Sequence, residues 1–272
     1  MFETTFLILL GLGLIAGILA GLLGIGGGIL FTPVLFVVFN GAGVENPVLL
    51  TIGTSLFCTF IAAFGSSARQ FRQQNFYATE GLKVGVMGAM GVTVGKWVIT
   101  QPFYSQQFFV VFFSVLLLYV SWMFARRGSR PTQQDAPNGA SITLRQAFFT
   151  GGLGGFVAAL AGIGGGGVMV PMMNLYYKKA FKKVVSISSL AIVLISLSGW
   201  LQLGFSANEF AALTNYAWGY VDFGAALPVS IGAMAGGFFG AFITLKINER
   251  YLQYGFALLA LGMAVKLLFE VF

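Results

Sequence analysis

Gly24-Ile25-Gly26-Gly27-Gly28 and Gly162-Ile163-Gly164-Gly165-Gly166-Gly167 decide how this chain folds. Each run lies inside an apolar stretch too long for one membrane crossing, 5–39 and 145–175. Each is followed by a proline, Pro33 or Pro171, nine positions after its first glycine. A glycine in a helix interior costs about 0.5–1 kcal/mol relative to alanine, so no helix continues unperturbed through either run. Both stretches read as helices broken part-way.

The rest of the chain supplies the solvent. Of 272 residues, 57% are hydrophobic and only 8% charged, whereas a soluble domain is about 25% charged. Such a chain cannot cover a globular surface with polar groups, and its surroundings must be largely lipid. A helix needs about 20 mainly apolar residues to span the hydrocarbon core. Six segments meet that standard: 48–65, 79–99, 106–125, 184–204, 221–245 and 251–271. The run 6–23 lacks the basic flank of a signal peptide, since it follows Glu3, and is expected to be retained. The net charge of +7 does not indicate a nucleic-acid partner, because the basic residues sit in short clusters between apolar runs.

The chain also repeats. A shift of 138 residues lays Gly13, Gly17, Gly24, Ile25, Gly26, Gly27, Gly28 and Pro33 on Gly151, Gly155, Gly162, Ile163, Gly164, Gly165, Gly166 and Pro171. After a four-residue slip, Thr54-Ser55-Leu56 lies on Ser188-Ser189-Leu190, and Gly65 on Gly199. Further on, Gly91 and Gly95 lie on Gly236 and Gly240. A hydrophilic linker with Pro131, Pro137, Asn138 and Gly139 divides the copies. The reading is a first membrane repeat over 1–126, a cytoplasmic linker over 127–143 and a second membrane repeat over 144–272.

Charge placement sets the topology. The segments 66–83, 126–145, 176–183 and 246–250 hold 13 of the 15 Lys and Arg residues against three acids, Glu80, Asp135 and Glu249. The other connections hold Lys96 and Lys266 against five acids. By the positive-inside rule the first group is cytoplasmic. That works only if 5–39 and 145–175 each begin and end on one side, as hairpins that dip in and return. Each half then adds three crossings, and the odd count inverts the second half relative to the first. The expected fold is an all-α polytopic membrane protein of two inverted repeats, each a glycine-broken helical hairpin plus three transmembrane helices. Both termini are expected to be non-cytoplasmic, in a cell (plasma or inner) membrane.

Backbone left unpaired in lipid costs several kcal/mol per group, so a broken helix survives only against protein or a water-filled cavity. Two hairpins entering from opposite faces would bring their tips together, with the returning arms starting there as helix N-termini. Free N–H groups and about half a positive charge then favour an anion. The substrate-binding residues expected from this are Gly24, Gly26, Gly27, Gly28, Gly164, Gly165, Gly166 and Gly167. The spaced pairs Gly13/Gly17, Gly151/Gly155, Gly91/Gly95 and Gly232/Gly236 read instead as close helix packing. Although 162–167 fits G-x-G-x-x-G, no βαβ unit surrounds it, and a dinucleotide site is not expected.

Thr51, Thr54, Ser55, Cys58 and Thr59 share one helix face. Its counterpart carries Ser186, Ser189 and Ser196, with Ser188 beside it. Thr54, Ser55, Ser188 and Ser189 coincide in the repeat and are ranked as lining the anion's path. Bonding back to their own helix, or gluing helices together, are the alternatives. Cys58 reads as a small buried residue. Lys96 is either a snorkelling cation or a substrate attractor. Arg69 and Arg72 are either orientation signals or attractors at an inner mouth. With no His, one Cys and no clustered acids within the membrane, neither a metal site, a cofactor nor an enzyme is expected.

The Gly-Ile-Gly-Gly-Gly break with its later proline, present twice, resembles the TauE/SafE sulfite exporter family, also called the toluene sulfonate uptake permeases. So do the Thr54-Ser55-Leu56 helix and Tyr220-Val221-Asp222-Phe223, although Asn75-Phe76-Tyr77 in the first half lacks the acid. The resemblance implies a multi-pass transporter of small sulfur-containing anions of the sulfite and sulfonate class. An inside-negative potential is worth about 2.3 kcal/mol per charge per 100 mV, which drives anion export without a coupling ion. Export by alternating access is the preferred reading. An anion channel or a coupled uptake permease for organosulfonates is the alternative, and a non-transporting membrane subunit the alternative of another class. The partners expected are a small inorganic or organosulfur anion and the lipid bilayer; homo-oligomerisation is left open.

Overall fold

The computed structural model describes residues 2–23, 28–72, 76–128, 141–206, 212–244 and 249–271. Gly24, Gly26 and Gly27, and most of the linker over 127–143, lie outside the described residues. The first half contains α1 (Phe2–Leu23), α2 (Gly28–Gly41), α3 (Pro47–Arg72), α4 (Ala78–Ile99) and α5 (Gln106–Gly128). The second contains α6 (Leu144–Ala161), α7 (Gly166–Pro171), α8 (Phe181–Gly204), α9 (Phe223–Thr244) and α10 (Glu249–Val271). The chain is an all-α polytopic membrane protein. Among the described residues, four helical segments are long and apolar enough to cross a bilayer by themselves: Pro47–Arg72, Ala78–Ile99, Gln106–Met123 and Lys183–Gly204.

Local chemistry explains the departures from plain helix. Thr143 starts α6 with a capping box: its hydroxyl accepts from the Gln146 amide, and the Gln146 side chain accepts from the Thr143 amide. Pro171 has no N–H to continue the α-helical ladder. The chain beyond it runs on as a π-helical turn, Met172–Tyr176, closed by the Tyr177 amide donating to the Met172 carbonyl. A short antiparallel ladder, β1 (Ala217–Trp218) and β2 (Val221–Asp222), pairs Ala217 with Asp222 ahead of α9.

The halves pack by exchanging partners. α1 lies on α9 and α6 on α4, each with its glycines against the other's backbone. Gly13 meets Val229, Gly17 meets Ala233 and Gly236 meets Leu14, so α1 and α9 run in the same direction. Gly151 meets Val84 and Gly155 meets Gly88, so α4 and α6 do too. A Cβ at any of these glycines would strike backbone, the close approach that small residues permit in membranes. α8 runs alongside α4 (Gly81 on Leu190, Gly88 on Ile195), and α9 alongside α3 (Thr54 to Asp222, Cys58 to Ala226). α5 and α10 run oppositely, with Ser114 bonded to the Ala264 carbonyl and Ser121 to that of Ala257. The outward stripe Leu82, Val86, Met90, Val94 and Trp97 of α4 is exposed, as a lipid-facing surface should be.

At one end the starts of α4, α6 and α8 are tied together. Lys183 Nζ stands 2.9 Å from Glu80 Oε1, which also accepts from the Ile142 amide at 3.0 Å. The Tyr77 amide donates to Ser186 Oγ at 3.3 Å. Both charges of the pair are buried, and their mutual neutralisation is what permits that.

Candidate functional site

Following each backbone group through the second break shows what kind of site it makes. Gly162 ends α6 in the left-handed region, φ 71°, with its amide donating to the Ala158 carbonyl at 2.8 Å. The Leu160 carbonyl, orphaned where the helix stops, accepts from Tyr104 Oη at 2.6 Å. Burial of that phenol pushes its pKa up, so it remains a donor. Ser55 Oγ donates to the Gly162 carbonyl at 3.1 Å across 107 residues of sequence. Gly165, also left-handed at φ 78°, opens α7, and its carbonyl accepts from the Val168 and Met169 amides. The amides of Ile163, Gly164 and Gly165 meet no acceptor among the described residues, and the first amides of α7 have none within their helix by geometry. The Leu160, Gly162 and Gly165 carbonyls have donors, whereas among the described residues the amides of Ile163, Gly164 and Gly165 and the Ile163 carbonyl have no hydrogen-bond partner, so the break offers polar backbone without carrying charge.

The two breaks touch. A Cβ placed on Gly28, the first residue of α2, would stand 2.5 Å from the Ile163 carbonyl oxygen and 2.7 Å from Thr59 Oγ1. One placed on Gly164 would stand 2.6 Å from the Thr59 methyl and 3.1 Å from Ser196 Oγ. Thr59 lies midway along the 26-residue α3, so the junction is deep within the bundle. Thr59 Oγ1 and Ser196 Oγ are wholly buried, with no hydrogen-bond partner among the described residues. One turn beyond Ser196, Trp200 Nε1 is also buried with no hydrogen-bond partner among the described residues, its ring edge-on to Phe57 at 5.3 Å.

The residues ranked from sequence therefore separate. Gly28, Gly164 and Ser55 come together at the junction, while Gly165 beside them packs against the Gly154 backbone of α6. Gly166 and Gly167 lie in the first turn of α7, where Gly167 faces the side chains of Ile29, Ile163 and Val120. Thr54 accepts from the Asp222 amide at 3.1 Å and joins α3 to β2. Ser188 and Ser189 donate to their own helix, to the Val185 and Ser186 carbonyls at 3.2 and 2.9 Å. Thr59 and Ser196 were on the polar faces of the sequence but ranked below these. Their signal was depth rather than repetition, since neither has a hydroxyl-bearing counterpart in the other half.

Charges stay at the edges. Lys96 Nζ donates to the Gln202 carbonyl at 2.7 Å in the last turn of α8, a cation on a helix C-terminus. Asp222 caps α9: its carboxylate accepts from the Ala225 amide at 3.1 Å, and from the Thr214 amide at 2.8 Å and the Thr214 hydroxyl. No group of three or more His, Cys, Asp or Glu residues that could hold a metal ion occurs among the described residues. Cys58 is buried, its Sγ 3.6 Å from the Ala226 carbonyl.

A family model described as the sulfite exporter TauE/SafE matches residues 9–267. The chain belongs to the TauE/SafE family. It is 29% identical over 255 residues to a probable membrane transporter protein of Methanocaldococcus jannaschii, covering 92% of each chain. It is 28% identical to a probable membrane transporter protein of Haemophilus influenzae, covering 97% of this chain and 98% of that one. The likeness to the probable membrane transporter protein YunE of Bacillus subtilis is 27% identity over 98% of both. No solved structure matches. As a TauE/SafE protein with this helical architecture, the chain is a multi-pass membrane transporter.

Proposed function

We propose that this transporter carries small sulfur-containing anions of the sulfite and sulfonate class out of the cell, by alternating access, with the junction of the two glycine breaks as its central site. The observation that carries the reading is the set of amides at Ile163–Gly165 without an acceptor among the described residues, next to Gly28, with the buried hydroxyls of Thr59 and Ser196 beside Gly28 and Gly164. Gly24, Gly26 and Gly27 belong to the same proposed site, with Gly166 and Gly167 as the start of its second helix.

The exchange of partners between halves supports an inverted repeat over 1–126 and 144–272, the plan that lets one bundle rock against another around a fixed midplane site. α1 lies along α9 and α9 along α3, and α6 lies along α4 and α4 along α8, the pairing that two copies of opposite orientation would make. The base-rich end that gathers Glu80, Lys183 and the start of α6 is then cytoplasmic, and both termini are outside. The two buried acids have structural partners, Glu80 in its ion pair and Asp222 in its cap. That supports export down the electrical gradient over proton-coupled uptake.

The test is flux of sulfite and of a sulfonate from proteoliposomes under an imposed potential, with Gly27→Leu and Gly165→Leu as site variants. Flux by the purified chain that collapses in folded variants supports the site. Unchanged flux in them dismisses it, and absence of flux by the parent protein favours a non-transporting subunit. Reporters fused after Phe272 and within 131–139 should report opposite sides of the membrane.

A further inference from the structure

The proposed site has a property that its family does not specify: the described groups around it are all uncharged. Around the junction, α2 contributes Gly28 and Thr32, α3 contributes Ser55 and Thr59, and α8 contributes Ser196. None is ionisable. The titratable groups on the elements packed there are elsewhere. On α3, Cys58 faces the Ala226 carbonyl, and Arg69 and Arg72 are in the last turn. Tyr104 is engaged by the Leu160 carbonyl. Arg145 lies in the first turn of α6. Lys183 at the start of α8 is paired with Glu80 of α4, and Lys96 is held at the α8 C-terminus. Asp222 is linked to α3 through Thr54, and its carboxylate is taken up by the Thr214 and Ala225 amides at the start of α9.

From this we infer that Thr59 and Ser196 are hydroxyl ligands of the anion, and that together with the amides of Ile163, Gly164 and Gly165 they make an uncharged cradle that accepts a monoanion and rejects a dianion. The reasoning rests on the transport reading above and deepens it. Two independent observations meet here: amides without acceptors, and two wholly buried hydroxyls without partners, among the described residues, with Thr59 Oγ1 beside Gly28 and Ser196 Oγ beside Gly164. A buried hydroxyl left unpaired is costly, and an oxyanion supplies the missing acceptor for both. Charge number then decides which anion. The hydration energy lost on burial scales with the square of the charge, whereas attraction to fixed neutral dipoles scales with its first power. Doubling the charge quadruples the penalty and only doubles the gain. A site meant for a dianion needs a cation, as Arg and Lys provide at phosphate sites, and none of the described residues supplies one. The carried form of sulfite is therefore hydrogensulfite, and a sulfonate enters as it stands.

The experiment is anion binding to the full chain in nanodiscs, using methanesulfonate as a permanent monoanion, sulfate as a permanent dianion, and sulfite at acid and alkaline pH. Flux of methanesulfonate from proteoliposomes is read in parallel. Methanesulfonate binds with pH-independent affinity, sulfate at least about ten-fold more weakly, and sulfite more tightly at acid pH in proportion to its hydrogensulfite fraction. Thr59→Val and Ser196→Ala each weaken methanesulfonate about ten-fold, the scale of one hydrogen bond to a charged group, and Thr59→Ser restores it. Sulfate binding as tight as methanesulfonate overturns the charge selection. Unchanged affinity in both variants, with melting temperatures like the parent's, overturns the ligand assignment while leaving transport intact. A parent protein that neither binds nor moves any of the three anions overturns the transport reading, and this inference with it.

Discussion

Gly164→Ala tests the packing of the second break against α3 and α8, and Gly43→Ala is its internal control. Both glycines are left-handed, at φ 69° and 71°, so each substitution incurs the same backbone penalty, about 1–2 kcal/mol for an L side chain in that region. They differ in what the new methyl meets. At Gly43 there is nothing within 4 Å. At Gly164 the methyl would stand 2.6 Å from Thr59 Cγ2 and 2.9 Å from Ile192 Cγ2, both on β-branched side chains that cannot swing aside. Overpacking of that kind costs about 1–3 kcal/mol. Equilibrium unfolding in mixed micelles should therefore show Gly43→Ala destabilised by about 1–2 kcal/mol and Gly164→Ala by about 2–5 kcal/mol. Flux should survive in the first and fail in the second. Equal destabilisation, with flux retained in both, would refute this packing of the second break on α3 and α8.

The buried pair Glu80–Lys183 gives a double-mutant cycle: Glu80→Gln or Lys183→Met alone should cost about 3–5 kcal/mol by stranding a charge, and the double variant much less than their sum. Tyr104→Phe removes the donor to the Leu160 carbonyl at the end of α6 and should cost about 1–3 kcal/mol in the same unfolding assay. Lys96→Met should lower stability by about 0.3–1 kcal/mol through the α8 C-terminus while leaving the flux KM unchanged. A raised KM there would return Lys96 to the role of substrate attractor.

Much of the architecture was legible in the sequence because it is written in composition and spacing. The six long apolar runs became α3, α4, α5, α8, α9 and α10, five of them within three residues of their expected ends, while α3 runs on past 65 to Arg72. The second glycine run did end one helix and begin another, because Gly162, Gly164 and Gly165 take backbone angles that other residues avoid. The spaced glycine pairs did mark tight seams. Which seam meets which was not legible, since a small-residue stripe names no partner; α1 on α9 and α6 on α4 emerge only in three dimensions.

The hydroxyls show the same limit from the other side. Coincidence in the repeat favoured Thr54, Ser188 and Ser189, yet one accepts from the Asp222 amide and two bond back to their own helix. Thr59 and Ser196 lack such coincidence and are the ones at the junction without partners among the described residues. A duplicated position is a good guide to shared packing, whereas a ligand sitting on a pseudo-symmetry axis is coordinated by whatever each copy happens to place there. Similarly, Asp222 had looked like a family signature leading into α9, and its geometry is that of a helix cap.

The most direct test uses selenite, a heavier analogue of sulfite, soaked into crystals of the protein and located by anomalous scattering. The account predicts a selenium peak within hydrogen-bonding reach of Thr59 Oγ1, Ser196 Oγ and the amides of Ile163–Gly165. A peak instead beside Lys96, Arg69 or Arg72, with the glycine junction bare, would contradict it.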